Sequence, residues 1–552
     1  MSHTPQNAAD GRAGTVKKLF SGTAVLAFAA VVSKIIGLVY KVPLIGYVGV
    51  EGMAYFLAAN HIYVLLFVIS TSGLPVAVAV MVSGAVARDD KNAVRRIYKT
   101  ALGLFVTLGT LGTVVMLVGA EKISYMINIP QAAFSIMAIA PAVLMACISG
   151  ALRGYFQGHQ IMTPTAVSQT IEAVGKLVLG LAGAMYASSK GMGDEAVAAY
   201  AIFGITAGVG LSMIYLLVAK FVFDRRHYAH IERRVGDQEH FFGKLIRLAL
   251  PVTLSSAIIS LGGVIDTALI PNCLAICGIS ASDANTLYSC YGNMAVPLFS
   301  LTPSLISPIA MSLVPLVSAA RSAGDKEGEV TAVCPALRLT LLLALPASVG
   351  ISVFAEPVLG MIFSSDMAAA RTAAPLLSIL ALSIVPACLI TTTNAVLQAQ
   401  GKAGKTIFSM VCGVAVKLVS EYLLVSNSAV NIYGAPISTL LCDMTVIGFN
   451  IYFVMKCSPR LDALIRPAVG TAVSALGAVG VAALVWRAMS LSQRGNIAVI
   501  VLIVGTVVLY FALALLLGAV DRDMIGMIPG IKNKSGKRKK SNEQRAKNSI
   551  SA

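Results

Sequence analysis

Runs of about twenty apolar residues recur along the chain from Gly22 to Leu517, each long enough to cross the roughly 30 Å hydrocarbon core of a bilayer as a helix. No water reaches that core, so backbone groups must be satisfied within the segment, and a helix does this without a partner. A transmembrane barrel needs segments of about ten residues with alternating polarity. These runs are continuous and rich in Gly, Ala, Val and Leu, which argues against a barrel. Charged residues make up only 12% of the chain and mean hydropathy is +0.82, so water is not its main solvent.

The runs predict an all-α, polytopic membrane protein of about fourteen transmembrane helices. The first six are Gly22–Tyr40, Ala54–Val82, Val94–Val118, Ala133–Ala151, Ala166–Ser188 and Ala196–Phe223. Six more follow at Leu248–Ile270, Leu287–Val317, Val333–Phe354, Ala374–Val396, Ile407–Val425 and Ile432–Met455. Val469–Val485 and Ile497–Leu517 complete the set. Lys34 interrupts the first run and no small-residue cleavage site follows it, so this helix is expected to stay in the mature protein rather than act as a signal peptide.

The expected organisation is a cytoplasmic segment 1–21, an N-terminal lobe 22–223 and a basic cytoplasmic linker 224–247, then a C-terminal lobe 248–455, helices 13 and 14 within 456–518, and a basic tail 519–552. The two lobes read as a duplication. Pro75 and Pro315 lie 240 residues apart, Gly158 and Gly401 lie 243 apart, and Lys176 and Lys417 lie 241 apart. An even number of helices per unit makes the repeats parallel, which places a substrate between them and favours rocking over a fixed channel.

The formal net charge of +17 follows topology rather than nucleic-acid binding. With a cytoplasmic N terminus, 33 of the 42 Lys and Arg fall in inside segments and six outside, so both termini are expected in the cytoplasm of a bacterial inner-membrane protein. The basic linker and tail are expected to meet anionic lipid headgroups.

Charges inside the membrane cost at least about 2.5 to 3.5 kcal/mol each at mid-helix, so they mark a pathway or a partner. Lys34 has no carboxylate three or four residues away. Glu172 precedes Lys176 by four residues and Glu421 follows Lys417 by four, giving each lobe a carboxylate and an ammonium on one helix face, either functional or simply neutralising. Asp266 and Asp443 have no local basic neighbour; Lys417 is the candidate partner for either, with a bound proton or cation as the other solution. Pro75, Pro141, Pro251, Pro297, Pro303, Pro308, Pro315, Pro346 and Pro386 fall in or at the edges of helices and permit kinks, and the eighth helix, with four of them, is the expected bending element. The nine Cys form no CxxC pair, and the six His have no ligand spacing. Cys273 and Cys277 are read as free thiols, with pairing as the alternative. Without a Walker A loop, HExxH or GxSxG, no enzyme, metal site or cofactor is expected beyond a coupling H⁺ or Na⁺.

SKIIGLVYKVPLIGYVGVEG at Ser33–Gly52, GLPVAVAVMVSGA at Gly73–Ala85, LRGYFQGHQIMTPTAVSQTIEAVGKL at Leu152–Leu177 and LPVTLSSAIISLGGVIDTALI at Leu250–Ile270 resemble the stage V sporulation protein B group. Those polysaccharide transporters are related to lipid II flippases within the multidrug, oligosaccharidyl-lipid and polysaccharide exporter superfamily. The resemblance implies a flippase that moves an undecaprenyl-pyrophosphate-linked, lipid II-like glycan from the inner to the outer leaflet, in peptidoglycan or sporulation chemistry. It also implies that Lys34, which follows Ser33 in the first-helix motif, binds substrate, with Lys41 as a looser match for a second basic position. Substrate binding is therefore expected at Lys34, Lys41, Glu172 and Lys176, and ion coupling at Asp266, Lys417, Glu421 and Asp443. A cation-coupled multidrug exporter and a scaffold for cell-envelope or spore-wall assembly are the alternatives.

Overall fold

The structure is a computed structural model that describes residues 36–37, 40–69, 71–228, 241–322, 324–456, 465–489 and 495–518. The described residues contain helices and no strands. In chain order they are α1 (40–69), α2 (Gly73–Ala87), α3 (Lys91–Met126), α4 (Ala133–Gly158), α5 (Thr163–Ser189) and α6 (Asp194–His227). Then come α7 (Phe241–Ile276), α8 (Ala281–Ser289), a π-helical turn (Cys290–Ala295), α9 (Val296–Ser322) and α10 (Lys326–Val353). The rest are α11 (Ala355–Ile362), α12 (Met367–Ala381), α13 (Ile384–Ala399), α14 (Ala403–Val425), α15 (Gly434–Met455), α16 (Ile465–Ala488) and α17 (Asn496–Leu516).

Among the described residues eleven helices are long and apolar enough to cross a membrane, or twelve when the pair α12 and α13, bent by 46°, is one span. The first of the fourteen expected spans lies almost wholly outside the described residues. The eighth is helical throughout, as α8, the π turn and α9. The bend in the tenth lies just before Pro386, which has no N–H to offer the helical ladder.

One expected loop is helix. Residues 41–53 read as an outside connection, yet α1 runs through them. Leu44 and Val48 are fully buried and Ile45 nearly so, so this stretch packs into the core as a helix, with Gly49 taking the left-handed backbone, φ 75°, that glycine tolerates. The basic linker is also shorter than expected, because α6 continues to His227 and α7 begins at Phe241.

Two pairs of loops share local backbone features. Asp90 caps α3 by accepting from Ala93 N at 2.8 Å, and Asp325 caps α10 by accepting from Gly328 N at 2.8 Å. Each cap follows a left-handed residue, Asp89 (φ 52°) or Gly324 (φ 70°). The loop between α4 and α5 and the loop between α13 and α14 also each carry a left-handed residue, Gln160 (φ 61°) and Gly401 (φ 72°).

Close helix contacts come from small residues, as expected where lipid removes most of the hydrophobic drive. A Cβ on Gly204 of α6 would lie 2.2 Å from Gly180 Cα of α5, and one on Gly208 would lie 2.8 Å from Glu172 O. α2, α3, α4, α5 and α6 pack into one group, and α9, α10, α12, α13, α14 and α15 into another. α7 joins them by packing on α2 and α3 on one side and α14 on the other, while α16 and α17 pack outside the second group along α10.

Candidate functional site

Lys417, halfway along α14, is 5% exposed, and three oxygens from three helices surround its ammonium. Asp266 Oδ1 of α7 lies at 2.6 Å, Thr439 Oγ1 of α15 accepts at 3.1 Å, and Glu421 Oε2, one turn along α14, lies at 3.9 Å. Glu421 is fully buried and accepts from Ser438 Oγ at 3.3 Å, while its Oε1 has no hydrogen-bond partner. Two carboxylates thus face one ammonium at a buried position, where charges interact more strongly than on a surface. Of the two acids expected to compete for Lys417, Asp266 takes it. Asp443 is half-buried one turn beyond Thr439 on α15, and its Oδ2 is buried without a partner.

Lys417, Asp266 and Asp443 line a cavity of about 710 Å³ between α7, α9, α13, α14 and α15. Its walls are largely apolar, among them Ile258, Phe299, Ile390 and Val446. One lining residue comes from ahead of α7: His61 of α1, whose Nδ1 lies 2.8 Å from Thr267 Oγ1 and 3.3 Å from the Tyr288 hydroxyl. Gly263 makes room for it, since a Cβ there would sit 3.1 Å from the imidazole.

The N-terminal charges are arranged differently. Glu172 does not pair with Lys176. It pairs with Arg153 of α4, Nη2 to Oε2 at 2.8 Å, and the same guanidinium donates to Ser168 at 3.0 Å and Ser212 at 3.2 Å. A planar donor fork engages three acceptors at fixed angles, which a lysine one turn away cannot match. Lys176 instead lies over the Tyr40 ring, 5.5 Å from its centroid, and Tyr40 is held by its hydroxyl donating to Ala201 O at 3.0 Å. Lys41, the next residue, is not in an outside loop but half-buried, and donates to Asn293 Oδ1 at 3.0 Å across to the second group. Lys176 and Lys417, paired by the spacing of the sequence, therefore meet different partners, an aromatic face and a carboxylate. Lys34 lies outside the described residues.

The sequence reading missed Arg153, His61, Thr439 and Asn293 as site residues. Arg153 was visible as a basic residue near a helix end, but nothing local marks it as the partner of Glu172. Cys273 is buried, Cys277 donates to Val425 O at 3.3 Å, and both are free.

A model of the polysaccharide biosynthesis protein family matches residues 19–320, and a MatE model matches 292–423. Stage V sporulation protein B of Bacillus subtilis (strain 168) is 26% identical over 514 residues, covering 92% of this chain and 97% of its own. Lipid II flippase MurJ of the same organism is 26% identical over 443 residues, covering 77% of this chain and 80% of its own. The structure of lipid II flippase MurJ in its inward closed conformation aligns with a TM-score of 0.68 at 13% identity, over 91% of this chain and all of that one. An inward-facing multidrug resistance MATE family transporter of the MOP superfamily aligns with a TM-score of 0.63 at 14% identity, over 77% of this chain and 95% of that one. With a family model matched over more than half its length, the chain belongs to the polysaccharide biosynthesis protein family, as a multi-pass membrane protein.

Proposed function

We propose that this protein is a flippase that carries a lipid-linked cell-envelope glycan precursor from the inner to the outer leaflet by alternating access, with an undecaprenyl-pyrophosphate-linked, lipid II-like molecule as substrate. The observation that carries the proposal is the relation to lipid II flippase MurJ over 80% of that protein's length, together with the shared fold. The chemistry is compatible: a pyrophosphate needs cations to enter a membrane cavity, and Lys34, Lys41 and Lys176 are proposed to supply them; Lys41 and Lys176 lie close together through Tyr40, while Arg153 compensates Glu172. The excess of carboxylates over ammonium at Asp266, Lys417, Glu421 and Asp443 is the proposed site for a coupling H⁺ or Na⁺. Both termini are proposed to be cytoplasmic, which puts the Asp90 and Asp325 caps on the cytoplasmic side and Ser282 outside, with anionic lipids as partners of the basic linker and tail.

A second reading, a cation-coupled multidrug exporter, is favoured by one observation: an apolar-walled cavity where carboxylates outnumber the ammonium. Purified protein in liposomes, offered lipid II and a fluorescent cationic drug separately, tests both. Transbilayer movement of lipid II alone is expected. Movement of the drug alone would replace the first reading by the second.

A further inference from the structure

The eighth expected span is not a plain helix. Its ladder widens to π geometry at Cys290–Ala295, all six residues of which are buried. The position has a local cause: the Pro297 ring excludes the carbonyl of Asn293 from an ordinary i−4 bond, and the widened turn lies just before it. Three successive residues of this turn make contacts of different kinds. The Tyr291 hydroxyl lies 3.1 Å from Thr439 Oγ1, the atom that accepts from Lys417. Gly292 receives Leu57 of α1, and a Cβ there would lie 2.1 Å from Leu57 Cδ2. Asn293 accepts from Lys41 at 3.0 Å and donates to Met53 O at 2.9 Å. Nearby, Ser282 Oγ donates to Glu51 Oε2 at 2.7 Å. One turn of chain thus touches the buried charge cluster on one side and clasps α1 on the other.

We propose that the π turn Cys290–Ala295 transmits the state of the Asp266, Lys417 and Glu421 cluster to a latch, formed by Lys41, Met53 and Leu57 with Asn293 and Gly292, that closes the outer side between the two halves. A π turn carries one residue more than the α-helical ladder allows, so its reversion to α geometry rotates one flank against the other by about 100° and shifts it by about 1.5 Å. Tyr291 and Asn293 cannot then keep both sets of partners. The turn is therefore a two-state element, with the cluster biasing one flank and α1 the other, which is what coupling between distant sites requires. This rests on the alternating-access reading above, because a latch matters only if the halves part.

The test uses the full-length chain in liposomes without substrate. Glu51→Cys and Ser282→Cys, introduced together, report closure through the extent of oxidative cross-linking, scored as the product that appears only when both substitutions are present. Lys417→Gln is expected to lower cross-linking about fivefold or more with Tyr291 present. In a Tyr291→Phe background, which keeps the ring and removes the hydroxyl, the same change is expected to alter it less than about twofold. An equal effect in both backgrounds, or none in either, overturns the proposal. If Lys417→Gln does not fold, Thr439→Val replaces it in the same comparison. Because no substrate is present, intact coupling in a protein that does not flip lipid II overturns only the functional reading, and lost coupling in an active flippase overturns only this one.

Discussion

Lys417 Nζ and Asp266 Oδ1 stand 2.6 Å apart, joining the middle of α14 to α7 across 151 positions of sequence, with both side chains at least nine-tenths buried. Removing one partner of such a pair leaves an uncompensated charge, at a cost of about 3–5 kcal/mol. Lys417→Met is therefore expected to lower the thermal stability of the detergent-purified protein sharply. Adding Asp266→Asn should restore part of the loss. A single variant as stable as the parent would show that the pair does not hold α7 to α14.

Asp443 should behave in the opposite way. Its Oδ2 has no hydrogen-bond partner, so Asp443→Asn removes a poorly compensated carboxylate and is expected to leave stability unchanged or raise it by about 1 kcal/mol. Flipping by this variant, and by Asp266→Asn, should lose its response to an imposed proton or sodium gradient. A response that persists undiminished in the double variant would remove both acids from coupling.

The pairing of Glu172 can be measured directly. A double-mutant cycle between Arg153→Ala and Glu172→Gln should give a coupling energy of about 1.5–3 kcal/mol, as for a charged hydrogen bond. The cycle between Lys176→Ala and Glu172→Gln should give much less. Reversed magnitudes would restore the same-helix pair that the spacing suggested.

Helix contact through glycine predicts a contrast within one fold. Gly204→Val drives a side chain into the α5 backbone, 2.2 Å away at the Cβ, and is expected to cost at least about 3 kcal/mol or to abolish accumulation in membranes. Gly103→Ala on α3 meets nothing within 4 Å and should be neutral or slightly stabilising. Comparable losses in both would mean that α5 and α6 do not cross there.

Topology is open to a labelling test on intact cells. Ser282→Cys is expected to react with an impermeant maleimide added outside, and Ser541→Cys in the basic tail only after permeabilisation. Outside labelling of Ser541→Cys would invert the assigned orientation.

The sequence alone determined the helical class, the approximate spans and the identity of the intramembrane charges. All of these are local: hydropathy over twenty residues and the cost of an ion in hydrocarbon are properties of a segment by itself. Proline count did not locate the bend, which was expected in the eighth span and lies in the tenth, before Pro386. The spacing that suggests a duplication has a local counterpart, in the caps Asp90 and Asp325 and the left-handed residues Gln160 and Gly401. Partner choice was not legible. That Glu172 goes to Arg153, that Asp266 rather than Asp443 takes Lys417, and that Lys41 reaches Asn293 while His61 reaches Thr267 depends on which helix faces meet. Spacing along one helix ranks only the neighbours three or four residues away. The tertiary structure brings in donors and acceptors from 19 to 252 residues away, and in a medium without water the better-matched partner wins whatever its distance in sequence.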